Sequence, residues 1–69
     1  MTESGTATVT YWEGEESWAV ETTFPQEGNT GGFKTKEDAV DYARDIVGYD
    51  GDQLVIEKKN GDVQDIHNY

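Results

Sequence analysis

Any chemistry in this chain would have to come from a narrow set of residue types. Fifteen Asp and Glu stand against five Lys and Arg, one His and no Cys, so carboxylates are plentiful and other reactive groups are scarce. Paired carboxylates serve as acid and base when a cleft separates their environments and moves their pKa values apart. Here the abundance of acids singles out no pair, and 69 residues supply little wall for a cleft. Asp50-Gly51-Asp52 opens like a calcium loop, but Leu54 stands where a third oxygen donor belongs and no Glu closes the frame. His67 is the only histidine, and with no thiol a transition-metal site would need carboxylates gathered around one imidazole. A Ser–His–Asp arrangement would depend on that same residue, close to the end of the sequence. Gly28-Asn29-Thr30-Gly31-Gly32 precedes a helical pattern, yet it matches neither the dinucleotide fingerprint nor the P-loop. The sequence therefore assigns no catalytic residue, no cofactor site and no metal ligand, and we read the protein as non-enzymatic.

Contact with a partner is a different matter. Trp18 is in phase with Val20 and belongs to a core, whereas Trp12 is in phase with threonines and is the better candidate for an exposed contact. Lys34, Lys36, Lys58 and Lys59 come from the segment before the helix and from a hairpin turn. Together with Trp12 they form the candidate contact set, a small basic spot on an acidic surface.

The formal net charge of −10 is the dominant compositional feature, and the acids run along the whole chain. Such a surface repels nucleic acid and anionic lipid at low salt. Three readings compete: adaptation to a high-salt cytoplasm, a generally acidic protein, and a DNA mimic whose carboxylates imitate phosphates. Near 1 M salt the Debye length falls to about 3 Å, so self-repulsion largely vanishes there. A mimic should gather its charge on one face, and acids spread over turns and both ends favour salt adaptation. The polar start Met1-Thr2-Glu3-Ser4-Gly5 lacks a signal-peptide apolar run, and no stretch has the length to cross a membrane. We expect a cytoplasmic protein, with residues 1–5 disordered and 6–69 forming one small domain.

The elements that position these residues are legible in order. Thr6–Trp12 alternates, with Ala7, Val9 and Tyr11 on one face. Glu13-Gly14-Glu15-Glu16 is a turn, and Ser17–Phe24 alternates again, with Trp18, Val20, Thr22 and Phe24 toward the core. Pro25 ends that strand, and residues 26–32 read as a connector. A helix is predicted over 36–47, with Thr35 as N-cap, Glu37 and Asp38 at its positive end and Gly48 as its stop. Phe33 can pack back onto the helix face, which carries Ala39, Val40, Tyr42, Ala43, Ile46 and Val47. Gln53–Lys58 is a strand, Asn60-Gly61 a hairpin turn, and Asp62–Ile66 the returning strand. Val63 and Ile66 are out of phase by one, which calls for a bulge between them or for Ile66 to begin the tail. The result is an α+β fold of order ββαββ, a four-stranded, mainly antiparallel sheet with one helix packed across one face. One helix covers only part of such a sheet. Trp12, Trp18, Phe24 and Tyr69, or a second copy in a homodimer, are the candidates for the remainder.

In order and spacing these motifs resemble a family. Trp18-Ala19-Val20 is similar to its "GWAV" strand, Phe33–Ala39 to "F-x-T-K-x-E-A", and Tyr42–Ile46 to "A-A-R-E-I-A". Leu54-Val55-Ile56, Lys59–Val63 and Tyr69 resemble "L-V-I-H-x-x-D-G-x-I" and its final Tyr. The family is the domain of unknown function 2188, small single-domain proteins of bacteria and haloarchaea, and the likeness spans about residues 11–69. Tyr11-Trp12 and Glu57 replace the His-Val and the His that the family often carries, so no role of those histidines transfers. The resemblance implies ββαββ and no activity, and a haloarchaeal member would account for the acidity.

The functional expectation is a small acidic binding or accessory module adapted to high salt, with a protein partner or a second copy. The alternative is a nucleic-acid-directed protein, either a DNA mimic or a weak binder through Trp12 and the lysines.

Overall fold

The computed structural model describes residues 5–23, 28–48 and 52–69. Five strands and one helix occur in the order β1 (Thr6–Trp12), β2 (Ser17–Thr22), β3 (Asn29–Phe33), α1 (Lys36–Ile46), β4 (Gln53–Glu57) and β5 (Val63–Asn68). They form one sheet in the order β3-β2-β1-β4-β5. The fold is α+β with one helix, as the sequence indicates, but the sheet has five strands rather than four and is mixed.

The added strand is β3, where the glycines read as a connector. Glycine has low strand propensity, so neither composition nor alternation marks this segment. It pairs antiparallel with β2, Thr30 opposite Val20 and Phe33 opposite Trp18, with a register shift that sets Gly31 and Gly32 against Ala19. Gly32 takes φ +89°, which a residue with a Cβ adopts only under strain.

The mixed character follows from the helix. β2 runs antiparallel to both β1 and β3. A helix laid across one face returns the chain to the end where β3 began, so β4 must run parallel to β3 and hence to β1. β4 accordingly pairs with β1 in parallel, Ala7 opposite Leu54 and Val9 opposite Ile56.

The helix begins as its sequence predicts. The Asp38 backbone N–H donates to Thr35 Oγ1 at 3.2 Å, and Glu37 and Asp38 fill the first turn. It ends at Ile46, one residue before the predicted limit, with Val47 as an extended C-cap whose N–H donates to the Ala43 carbonyl. Ala39, Ala43 and Val47 meet Ala7, Val9, Trp18, Val20, Leu54 and Ile56 in the core. Phe33 packs on Tyr42 with ring centroids 5.3 Å apart, and the Tyr42 hydroxyl lies 3.3 Å from Thr30 Oγ1, so side chains tie β3 to the helix.

β2 ends at Thr22, short of the predicted Phe24, which lies with Pro25 outside the described residues. Thr22 serves the β2–β3 connection instead of the core, donating from Oγ1 to the Gly28 carbonyl at 2.7 Å. Gly5, expected in the disordered start, is held: its N–H donates to Asp52 Oδ1 at 3.1 Å and its carbonyl accepts from Gln53 at 3.0 Å.

β4 and β5 join through Asn60-Gly61, where Lys58 N–H donates to the Asp62 carbonyl at 2.8 Å and Gly61 takes φ +90°. β5 runs to Asn68, two residues beyond the predicted Ile66. Ile56 pairs with Asp65 but Glu57 pairs with Val63, so Gln64 is an extra residue in a bulge. The bulge resolves the phase error, because Val63 and Ile66, three apart, now share the face opposite the helix.

Candidate binding surface

The alternation of the strands decides which candidate residues meet. Tyr11 and Trp18 face the helix and contact edge to face, with centroids 5.3 Å apart. Lys36, at the start of α1, places its Nζ 5.7 Å from the Trp18 ring. Lys59, in the β4–β5 turn, places its Nζ 4.9 Å from the Tyr11 ring. Two of the four candidate lysines therefore converge, and the aromatic pair they flank is Tyr11 and Trp18, favourable cation–π geometry near one end of the sheet. Lys34 and Lys58 are exposed beside them in sequence.

Trp12 lies on the other face, away from this cluster, and is half-buried rather than free. Its indole N–H donates to Glu21 Oε2 at 2.9 Å, and its ring covers Gly31 so closely that a Cβ there would fall 2.5 Å from Cζ3. The indole thus reaches from β1 over β2 to β3, and Ala19, which shares this face, is fully buried. Its affinity for threonine-phase positions is legible in the sequence; the glycine that receives it is not, since β3 itself is hidden there.

Asp52, from the calcium-like run, is buried and serves the backbone. It accepts from Gly5 N–H through Oδ1 and from Gly48 N–H at 3.4 Å through Oδ2, while its carbonyl accepts from Tyr69 N–H at 2.9 Å. One residue so joins the first strand, the helix exit and the last strand. Asp50 and Gly51 lie outside the described residues. Among the described residues no group of three His, Cys, Asp or Glu is placed to hold a metal ion, and no helix is long and apolar enough to cross a membrane.

The opposite margin of the sheet is open. All six residues of β5 are exposed. The exposed large apolar side chains among the described residues, Val63 at 52%, Ile66 at 48% and Tyr69 at 46%, all lie on this strand or next to it. Between β5 and the helix runs a groove of about 440 Å³ with Val40 and Ile56 as its apolar part. Lys36 and Arg44 bring positive charge to it, and Glu37, Asp41 and Asp65 negative. Gln64 and Asp65 both line it, as the bulge requires when successive side chains turn to one face. His67 Nε2 lies 3.4 Å from Asp65 Oδ2 on the same side of the strand.

Sheet order, helix placement and the uncovered last strand define a small α+β domain with a sheet margin left open beside its helix. The chain belongs to the family described as an uncharacterised protein conserved in bacteria, domain of unknown function 2188, whose model matches residues 8–69. Comparison with curated proteins and with solved structures finds no match.

Proposed function

We propose that this protein is a non-enzymatic binding module of a salt-rich cytoplasm, and that it engages protein partners through the β5 margin of its sheet. The carrying observation is the placement of Val63, Ile66 and Tyr69, exposed apolar side chains gathered on one edge of a chain of net charge −10. An edge strand presents unpaired backbone groups that a further strand can use, and apolar side chains beside them add area to such a contact.

The distribution of acids supports salt adaptation over mimicry. Glu13, Glu15 and Glu16 lie in the first turn, Glu37, Asp38, Asp41 and Asp45 on the helix exterior, Glu21 on the opposite sheet face and Asp62 in the second turn. A DNA mimic needs them on one side. Direct nucleic-acid contact draws on Lys36 and Lys59 over the Tyr11–Trp18 pair. Under the main reading, titration with a single-stranded oligonucleotide leaves the tryptophan emission unchanged.

The test of the module is photo-crosslinking in cells grown at their native salt, with a photoreactive residue at Ile66 and, as control, at Asp45 on the helix exterior. Defined protein adducts at Ile66 and none at Asp45 support the reading. Equal or absent labelling at both sites overturns it.

A further inference from the structure

We infer that the occupant of the β5 edge is a second copy of this chain, paired antiparallel about a two-fold axis through Ile66 to make one continuous ten-stranded sheet. This rests on the reading of β5 as a binding margin and adds the partner and the register.

The backbone fixes which residues can pair. In an antiparallel ladder, alternate residues point their N–H and C=O toward one neighbour or the other. Tyr69 N–H donates to the Asp52 carbonyl, so Tyr69, His67 and Asp65 turn their backbone groups to β4. Ile66 and Asn68 therefore turn theirs outward, and any added strand must meet those groups. With the axis through Ile66, two Ile66 residues form a hydrogen-bonded pair at the centre.

Side-chain pairing then selects the register. About this axis each Asp65 stands opposite the partner's His67, so both cross-strand pairs join a carboxylate to an imidazole. Sliding the partner by one residue turns backbone groups out of line. Sliding it by two sets Asp65 against Asp65, or His67 against His67, and either register loses both carboxylate–imidazole pairs. Asp65 and His67 already share the helix side at 3.4 Å, so carboxylate acceptors and imidazole N–H donors alternate around a dimer. On the other side Ile66, half-exposed beside Val55, meets the partner's Ile66. The bulge at Gln64 limits the regular ladder on one side and prevents the sliding that a flat edge would permit. An axis normal to the sheet keeps both helices on one face, so the two grooves beside β5 join above the paired strands.

The probe is the chain itself in multimolar KCl, where repulsion between two copies of charge −10 is screened. Sedimentation equilibrium should give twice the chain mass, and Ile66→Lys should give the single chain with an unchanged circular dichroism spectrum. D65H and H67D alone should each weaken association about tenfold, since each removes the carboxylate acceptor or the imidazole donor from both cross-strand pairs. The double swap D65H/H67D should restore it. Cα atoms of a hydrogen-bonded antiparallel pair lie about 5.5 Å apart, within reach of a short bis-maleimide crosslinker. Ile66→Cys should therefore be joined into a covalent dimer by that reagent while Asp45→Cys is not. A single chain at every concentration, or single swaps and double swap that all behave alike, overturns the proposal. Ile66 crosslinks only to other proteins would overturn this partner and leave the binding module standing.

Discussion

Gly31 and Gly32 stand side by side opposite Ala19, and they are glycine for different reasons. A Cβ on Gly31 would lie 2.5 Å from Trp12 Cζ3 and 2.9 Å from Cε3, far inside contact distance. Its φ is outside the positive region, so its backbone accepts alanine. Gly32 is the reverse: it has φ +89° and open space where a Cβ would go. Gly31→Ala must therefore displace the indole, at about 1–3 kcal/mol for overpacking, and with it the bond to Glu21, about 1 kcal/mol net. Gly32→Ala holds an L-residue in the left-handed region, at roughly 1–2 kcal/mol. A chain of this size is stable by only about 3–10 kcal/mol, and each kcal/mol lowers Tm by roughly 4–8 °C. Both changes are thus visible, and a Trp12→Ala background separates them. There the cost of Gly31→Ala should shrink by about 1 kcal/mol or more, while that of Gly32→Ala stays the same within the usual additivity of about 0.5 kcal/mol. Urea unfolding in multimolar KCl, followed by circular dichroism and by tryptophan emission, measures all the variants. If Gly31→Ala costs as much without the indole as with it, the close approach of Trp12 to β3 is not what the glycine serves.

Three further outcomes test other parts of the account. Asp52→Ala removes a buried acceptor from two backbone N–H groups and should cost about 3 kcal/mol or more, with Asp52→Asn intermediate, both read by urea midpoint. Thr35→Ala removes the N-cap bond to Asp38 and should cost about 1 kcal/mol, with Thr35→Ser close to the parent. Thermal unfolding should shift upward strongly between low salt and multimolar KCl, because screening removes repulsion among fifteen acids and few bases. Equal stability at both extremes would refute salt adaptation.

What could be read from the sequence divides along the range of the interactions. The helix was legible because its cap, its charge placement and its apolar stripe are all local to residues 35–48. β1, β2 and β4 were legible by alternation of β-branched and aromatic residues, and the second turn by Asn60-Gly61. β3 was hidden because its strand identity comes from β2 and from the indole above Gly31, neither adjacent in sequence. The parallel β1–β4 pairing was hidden for a related reason, since pairing partners do not mark one strand for another across 40 residues or more. The lysines could be named but not placed. Lys36 and Lys59 converge on Tyr11 and Trp18 because the helix start and the second turn lie at the same end of the sheet, a consequence of topology. Asp52 looked like part of a cation loop because sequence shows a carboxylate but not the backbone donors that surround it.

The open margin follows from simple dimensions. Five strands at about 4.8 Å spacing make a sheet roughly 24 Å wide, whereas a helix with its side chains is about 10–12 Å across. One helix covers two strands well, and here those are β1 and β2, which contribute Ala7, Val9, Trp18 and Val20 to the core. The β3 side is closed by other means, Phe33 with Tyr42 on the helix face and Trp12 over Gly31 on the opposite face. Among the described residues no such closure reaches β5, where Val63 and Ile66 stay exposed although polar residues would have kept the strand wet and soluble. The bulge at Gln64 sharpens this point. Without it Val63 and Ile66 would fall on opposite faces, one toward the groove, and the open face of β5 would hold a single apolar residue. With it the two share that face, while Asp65 and His67 share the other. An edge that only had to resist pairing would gain from the bulge but not from gathering its apolar side chains on one side. Segregating apolar from polar residues across a bulged edge strand suits an edge built to accept one partner in one register.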